Sequence, residues 1–78
     1  MYLSIKDVKP LKDFQLLLKF ENNEERLFDM KPFLNDGIFQ ELTDIHLFNS
    51  VKVSFDTIEW SNQADMDPEM LYEKSVPI

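Results

Sequence analysis

The chain has 78 residues, enough for one domain and too few for two; a fold of this size buries only about 60% of the surface its unfolded chain exposes. Hydrophobic residues make up 44% and charged residues 29%, with ten aromatics, so a packed core is within reach and compositional disorder is excluded. Without cysteine, neither disulfides nor thiolate metal sites are available, and the net charge of −7 disfavours a phosphate backbone as partner.

The N-terminal stretch from Met1 to Asp7 has neither a basic region nor an apolar core of the kind that directs secretion, and no segment approaches the roughly 20 apolar residues of a membrane helix. A cytoplasmic protein of one domain, residues 1–78, is therefore expected. Leu3 to Val8 alternates weakly and stops at Pro10, where a missing backbone donor suits a strand end or an edge. Phe14, Leu16, Leu18 and Phe20 recur at period two, the pattern of a half-buried strand.

Asn22-Asn23 then reads as a two-residue turn, because asparagine tolerates the positive φ such turns need. That turn pairs Leu18 with Leu27, Leu17 with Phe28 and Lys19 with Arg26, leaving Leu17 and Phe28 on the face away from the core beside two like charges. From Lys31 to Ser50 the spacing shifts to threes and fours, broken by Pro32 and Gly37, which indicates short helical turns. Asp36-Gly37 should reverse the chain between them, and Thr43-Asp44 should cap the later one.

Val51, Val53 and Phe55 alternate again, Asp56-Thr57 is expected to turn, and Ile58 to Trp60 to return as the second hairpin. Asp67-Pro68-Glu69 carries a helix start: a carboxylate cap, a proline whose missing donor would be orphaned anyway, and an acid at the positive end. The helix is about two turns, marginal unless Leu71 and Tyr72 pack. Together these elements give an α+β domain: one antiparallel sheet of about five strands, short helical turns between the hairpins, and a short C-terminal helix.

Chemistry finds little to stand on. His46, the single histidine, lies two residues from Asp44, a spacing that separates the two around a helical turn, and no serine occupies a nucleophile elbow. Asp65-Met-Asp-Pro-Glu69 has the alternating oxygens of a calcium loop, but Met70 stands where that loop needs glycine and Val76 where it needs glutamate. One glycine cannot build a phosphate cradle. Phe14, Phe20, Phe55 and Trp60 fall where a core needs them rather than on a stacking platform. No catalytic residue, metal or cofactor is therefore expected.

The charge is unevenly placed. Residues 1–39 hold seven acids and six bases, residues 40–78 eight acids and two bases, giving −1 and −6. The acidic half suits a basic protein partner; the plainer reading is a surface acidic for solubility.

Val51-x-Val53, Ile58-Glu-Trp60 and Asp65-Met-Asp-Pro-Glu-Met-Leu-Tyr72, together with Phe20-Glu-Asn-Asn23, Arg26-Leu-Phe28-Asp29 and Gly37-Ile-Phe-Gln-Glu-Leu42, resemble a bacterial family, domain of unknown function 2442. The resemblance covers nearly the whole chain, and its most specific part is the run from Trp60 to Tyr72. It implies an interaction or antitoxin-like role beside a second small protein. The family usually places glycine in both hairpin turns and Pro-Asn-Gly after the tryptophan; Asn23, Thr57 and Ser61-Asn-Gln63 stand there instead, and Thr57 is expected to force a different second turn.

The expected function is thus a non-enzymatic protein-interaction domain, with Glu59, Trp60, Asp65, Asp67, Glu69 and Glu73 toward a basic partner. The alternative is a self-associating accessory domain that uses strand edges and the Leu17 and Phe28 face.

Overall fold

The computed structural model describes residues 3–78. Strands β1 (Ile5–Leu11), β2 (Gln15–Phe20) and β3 (Glu25–Asp29) form an antiparallel meander. Short 3-10 turns follow at Lys31–Phe33 and Gly37–Thr43, then helix α1 (Ile45–Phe48), strands β4 (Lys52–Ser54), β5 (Thr57–Glu59) and β6 (Asp65–Met66), helix α2 (Pro68–Lys74) and strand β7 (Val76–Pro77). The α+β class holds, but the single sheet of about five strands does not. Among the described residues there are two sheets, one of four strands in the order β1-β2-β3-β7 and one of three in the order β4-β5-β6. The unexpected strands β6 and β7 have two residues each, too short to leave a periodic trace.

The first hairpin corrects the expected register. Asn23 N–H donates to the Phe20 carbonyl at 2.8 Å, Phe20 N–H donates to the Glu24 carbonyl at 3.0 Å, and of the loop residues Asn23 alone has positive φ, +69°. This is a three-residue loop, Glu21-Asn22-Asn23, whose last member takes the left-handed conformation. Pairing moves by one: Leu16 faces Phe28, Leu17 faces Leu27, Leu18 faces Arg26, and Lys19 faces Glu25. Since opposed residues share a face, Phe28 turns into the core and Leu17 stays outside with Leu27. The expected like-charge clash disappears, because Lys19 lies between Asp7 on β1 and Glu25 on β3.

Phe14 is not in the strand. It lies in the β1–β2 turn with φ +58° and meets Phe48 edge-on at 5.2 Å. Strand β1 runs through Pro10 instead of ending before it, which its edge position in the sheet permits. Gly37 has φ +49° and Asp44 Oδ1 accepts from His46 N–H, so the reversal and the cap between the hairpins stand as expected.

The second hairpin is also corrected. Ser54 pairs with Thr57, so the turn is Phe55-Asp56, with Thr57 inside a strand. Phe55 has φ +55° and is 99% exposed, against the expectation that it fills the core. A third hairpin joins β5 to β6 and repeats the first. Gln63 N–H donates to the Trp60 carbonyl, Trp60 N–H donates to the Ala64 carbonyl, and Gln63 has φ +71°. In both loops the central asparagine, Asn22 or Asn62, accepts from the backbone N–H two residues on at 3.0 Å.

The two sheets share one core. Ile5, Leu16, Leu18, Phe20, Phe28 and Met30 supply one side, Val51, Ile58, Trp60 and Met66 the other, and Leu34, Leu42, Phe48 and Leu71 close it from the helical segments. A backbone bond from Ile5 N–H to the Asp56 carbonyl, 3.0 Å, ties β1 to the tip of the second hairpin. Left-handed backbone costs a non-glycine residue about 1–2 kcal/mol, partly offset by the entropy a glycine loses. Phe55→Gly is therefore expected to raise stability by about 1 kcal/mol, or the melting midpoint by about 4–8 °C, as read by thermal unfolding.

Candidate functional site

The acids on either side of Trp60 are presented by β5, β6 and α2. Ile58 and Trp60 must point inward on β5, so Glu59 between them points out, half-buried. The Ser61–Gln63 loop then sets Asp65 directly opposite Glu59. Opposed side chains in an antiparallel pair have Cβ atoms about 4.5–5.5 Å apart, and like charges there oppose folding. Among the described residues neither acid is in an ion pair, the two side-chain pairs being Arg26–Glu24 and Lys31–Asp29; Lys52 of β4 faces Glu59 from the other side, whereas Asp65, on the edge strand, faces Glu59 alone. Ser54, Thr57, Glu59 and Asp65 line a shallow open groove beside the projecting Phe55 ring.

Asp67 is occupied: its Oδ1 accepts from Glu69 N–H at 3.0 Å and caps α2, with Pro68 first in the helix. Glu69 and Glu73 are exposed on that helix. Trp60 is placed differently from the others. It is 1% exposed, its Nε1–H donates to the Phe48 carbonyl at 3.0 Å, and its ring lies among Phe39 and Phe48, so it supports this surface from beneath. Phe28 is likewise interior at 1% exposure, while Leu17 lies on the far side of the four-stranded sheet. The eight expected residues thus divide into five solvent-reaching acids on β5, β6 and α2, two core residues and one residue of a separate face.

A polar cluster that sequence reasoning missed joins β3 to α2. The register that buries Phe28 also turns Arg26 inward, where its side chain is 12% exposed. Arg26 Nε donates to Ser75 Oγ and Nη2 to the Ser75 carbonyl, both at 2.8 Å, while Nη1 lies 3.2 Å from Glu24 Oε2. The guanidinium carbon stands 4.2 Å from the Tyr72 ring centroid, and the Tyr72 hydroxyl lies 2.8 and 3.0 Å from the Glu24 oxygens. The signal was an arginine at a core-facing strand position, visible only once the register is right. Each guanidinium nitrogen has a partner here, so the cluster fastens the helix to the sheet.

No group of three acids or histidines could hold a metal ion among the described residues, and none of their helices is long and apolar enough to cross a membrane. The profile of the family described as "Protein of unknown function (DUF2442)" matches residues 5–77. The chain belongs to the DUF2442 family. No curated protein and no solved structure matches it. The residues through which it resembles DUF2442 domains acquire physical roles in this fold: Trp60 and Leu71 fill the core, Asp67-Pro68 starts α2, and Arg26 and Tyr72 stack.

The carboxylate of Glu24 at the Tyr72 hydroxyl, aided by burial, raises the phenol above its usual 10.0; Arg26 opposes the shift in part. The folded state then holds this proton more tightly than the unfolded chain, so the stabilisation is complete below pH 10 and is lost as pH rises through the folded value. In thermal melts across pH 7 to 12, the advantage of the wild type over Tyr72→Phe should hold steady to about pH 9 and shrink above pH 10.

Proposed function

We propose that this is a non-enzymatic protein-interaction domain of the cytoplasm whose acidic surface, Glu59, Asp65, Asp67, Glu69 and Glu73, receives a basic protein. The opposed Glu59 and Asp65 carry the reading: Lys52 faces Glu59 from β4, but Asp65 on the edge strand faces only another carboxylate, and a cation supplied from outside would turn that repulsion into affinity. Phe55 adds what an acidic patch alone lacks. A fully exposed aromatic at the margin of a charged surface is the arrangement of a binding hot spot, in which the ring enters a pocket and the acids form the rim. Rim charges of this kind act mainly by accelerating encounter. The antitoxin-like role that the family resemblance implies is one form of this activity, with a small basic toxin as partner.

The test is co-expression with the product of the adjacent gene, followed by calorimetry and stopped-flow association. A salt-sensitive complex is expected, slower to form with Asp65→Asn and weaker with Phe55→Gly. If no complex survives purification at low salt, the reading fails. In the free protein, Asp65→Asn should raise stability by about 0.2–1 kcal/mol, and added salt should erode that gain; denaturant melts at two ionic strengths measure both.

A further inference from the structure

Among the described residues no helix packs on the outer face of the four-stranded sheet. Its register lays out three rows. Lys9, Leu17, Leu27 and Val76 form the central row; Asp7, Lys19 and Glu25 form the row on one side; Leu11, Gln15 and Asp29 form the row on the other. Leu17 and Leu27 are half-buried yet are not among the apolar residues packed onto the core, and Val76 is 57% exposed. In a chain of net charge −7 this face is nearly balanced, with two bases and three acids.

We propose that this face binds a second copy of the same chain, with a two-fold axis running along the strands between β2 and β3. Such an axis exchanges the two central strands. Each Leu17 then meets Leu27 of the second copy, and each Lys19 meets Glu25 of the second copy, so both contacts occur twice, as an isologous interface requires. Packed sheets cross at about 30°, and these residues lie close enough to the axis to keep their partners despite it. An axis across the strands is disfavoured, because it would set Glu25 against Asp29 of the second copy. The face is small, so the dimer is weak and concentration-dependent. It does not use the acidic surface of β5, β6 and α2, and it stands or falls independently of the partner proposed there.

The experiment is sedimentation velocity to about 1 mM protein on the wild type, Lys19→Glu, Glu25→Lys and the double swap, with circular dichroism confirming that each folds. The wild type should dimerise, each single reversal should weaken dimerisation at least about tenfold, and the swap should restore it. Glu25→Lys is the more demanding case. It lowers the net charge from −7 to −5, so a contact governed by overall charge would strengthen, whereas this interface predicts weakening. Mixing Lys19→Glu with Glu25→Lys should produce a heterodimer tighter than either variant's own dimer, because both cross-interface pairs again join opposite charges. A wild type monomeric at 1 mM, or dimers indifferent to the reversals and to mixing, would overturn the proposal.

Discussion

A single left-handed residue, Asn23, sets the organisation of the first sheet. Its conformation lengthens the loop from two residues to three, and because side chains alternate along a strand, that one residue decides which half of β3 faces inward. Phe28 goes to the core and Arg26 follows it, two positions away on the same face. Leu17 and Leu27 go to solvent on the other side. The core, the polar fastening of α2 and the composition of the outer face all descend from one backbone angle.

The second sheet uses the same device for a different end. Gln63 bends the chain after Trp60 as Asn23 bends it after Phe20, and the asparagine at the centre of each loop holds the same backbone bond. Where the first loop gives the core its arginine, the second returns β6 against β5 and brings Asp65 beside Glu59. An aromatic that must be buried precedes each loop, so burial anchors one end of the turn while the left-handed residue sets its outlet. The acidic surface is a by-product of core packing on β5: with Ile58 and Trp60 inside, Glu59 has nowhere to point but out.

A period-two run gave away β2, the turn after it implied β3, and Asp67-Pro68-Glu69 marked the start of α2, since the run and the helix start depend on local rules. The turns were less legible. Glu21-Asn-Asn-Glu24 is compatible with a two-residue or a three-residue loop, and the choice between them rests on which partner buries more apolar surface, a tertiary matter. Phe55 misled for a related reason: it continues the alternation of Val51 and Val53, yet the hairpin closes one residue earlier and leaves it outside. Of the candidate residues, Asp65, Asp67, Glu69 and Glu73 are exposed and Glu59 half-buried, whereas Trp60 was legible only as an aromatic needing a partner for its N–H, which the Phe48 carbonyl supplies.

That carbonyl bond makes the protein's one tryptophan a built-in optical probe. The indole sits in a dry setting, 1% exposed, against Phe39 and Phe48, while Glu59 on one side and the Ser61 loop on the other reach solvent. Its emission should therefore report whether the interior is intact and stay largely indifferent to what docks on the acids above it. A ligand that shifted this fluorescence would have to reach it through β5 itself, and so would reveal a rearrangement of the core beneath the contact.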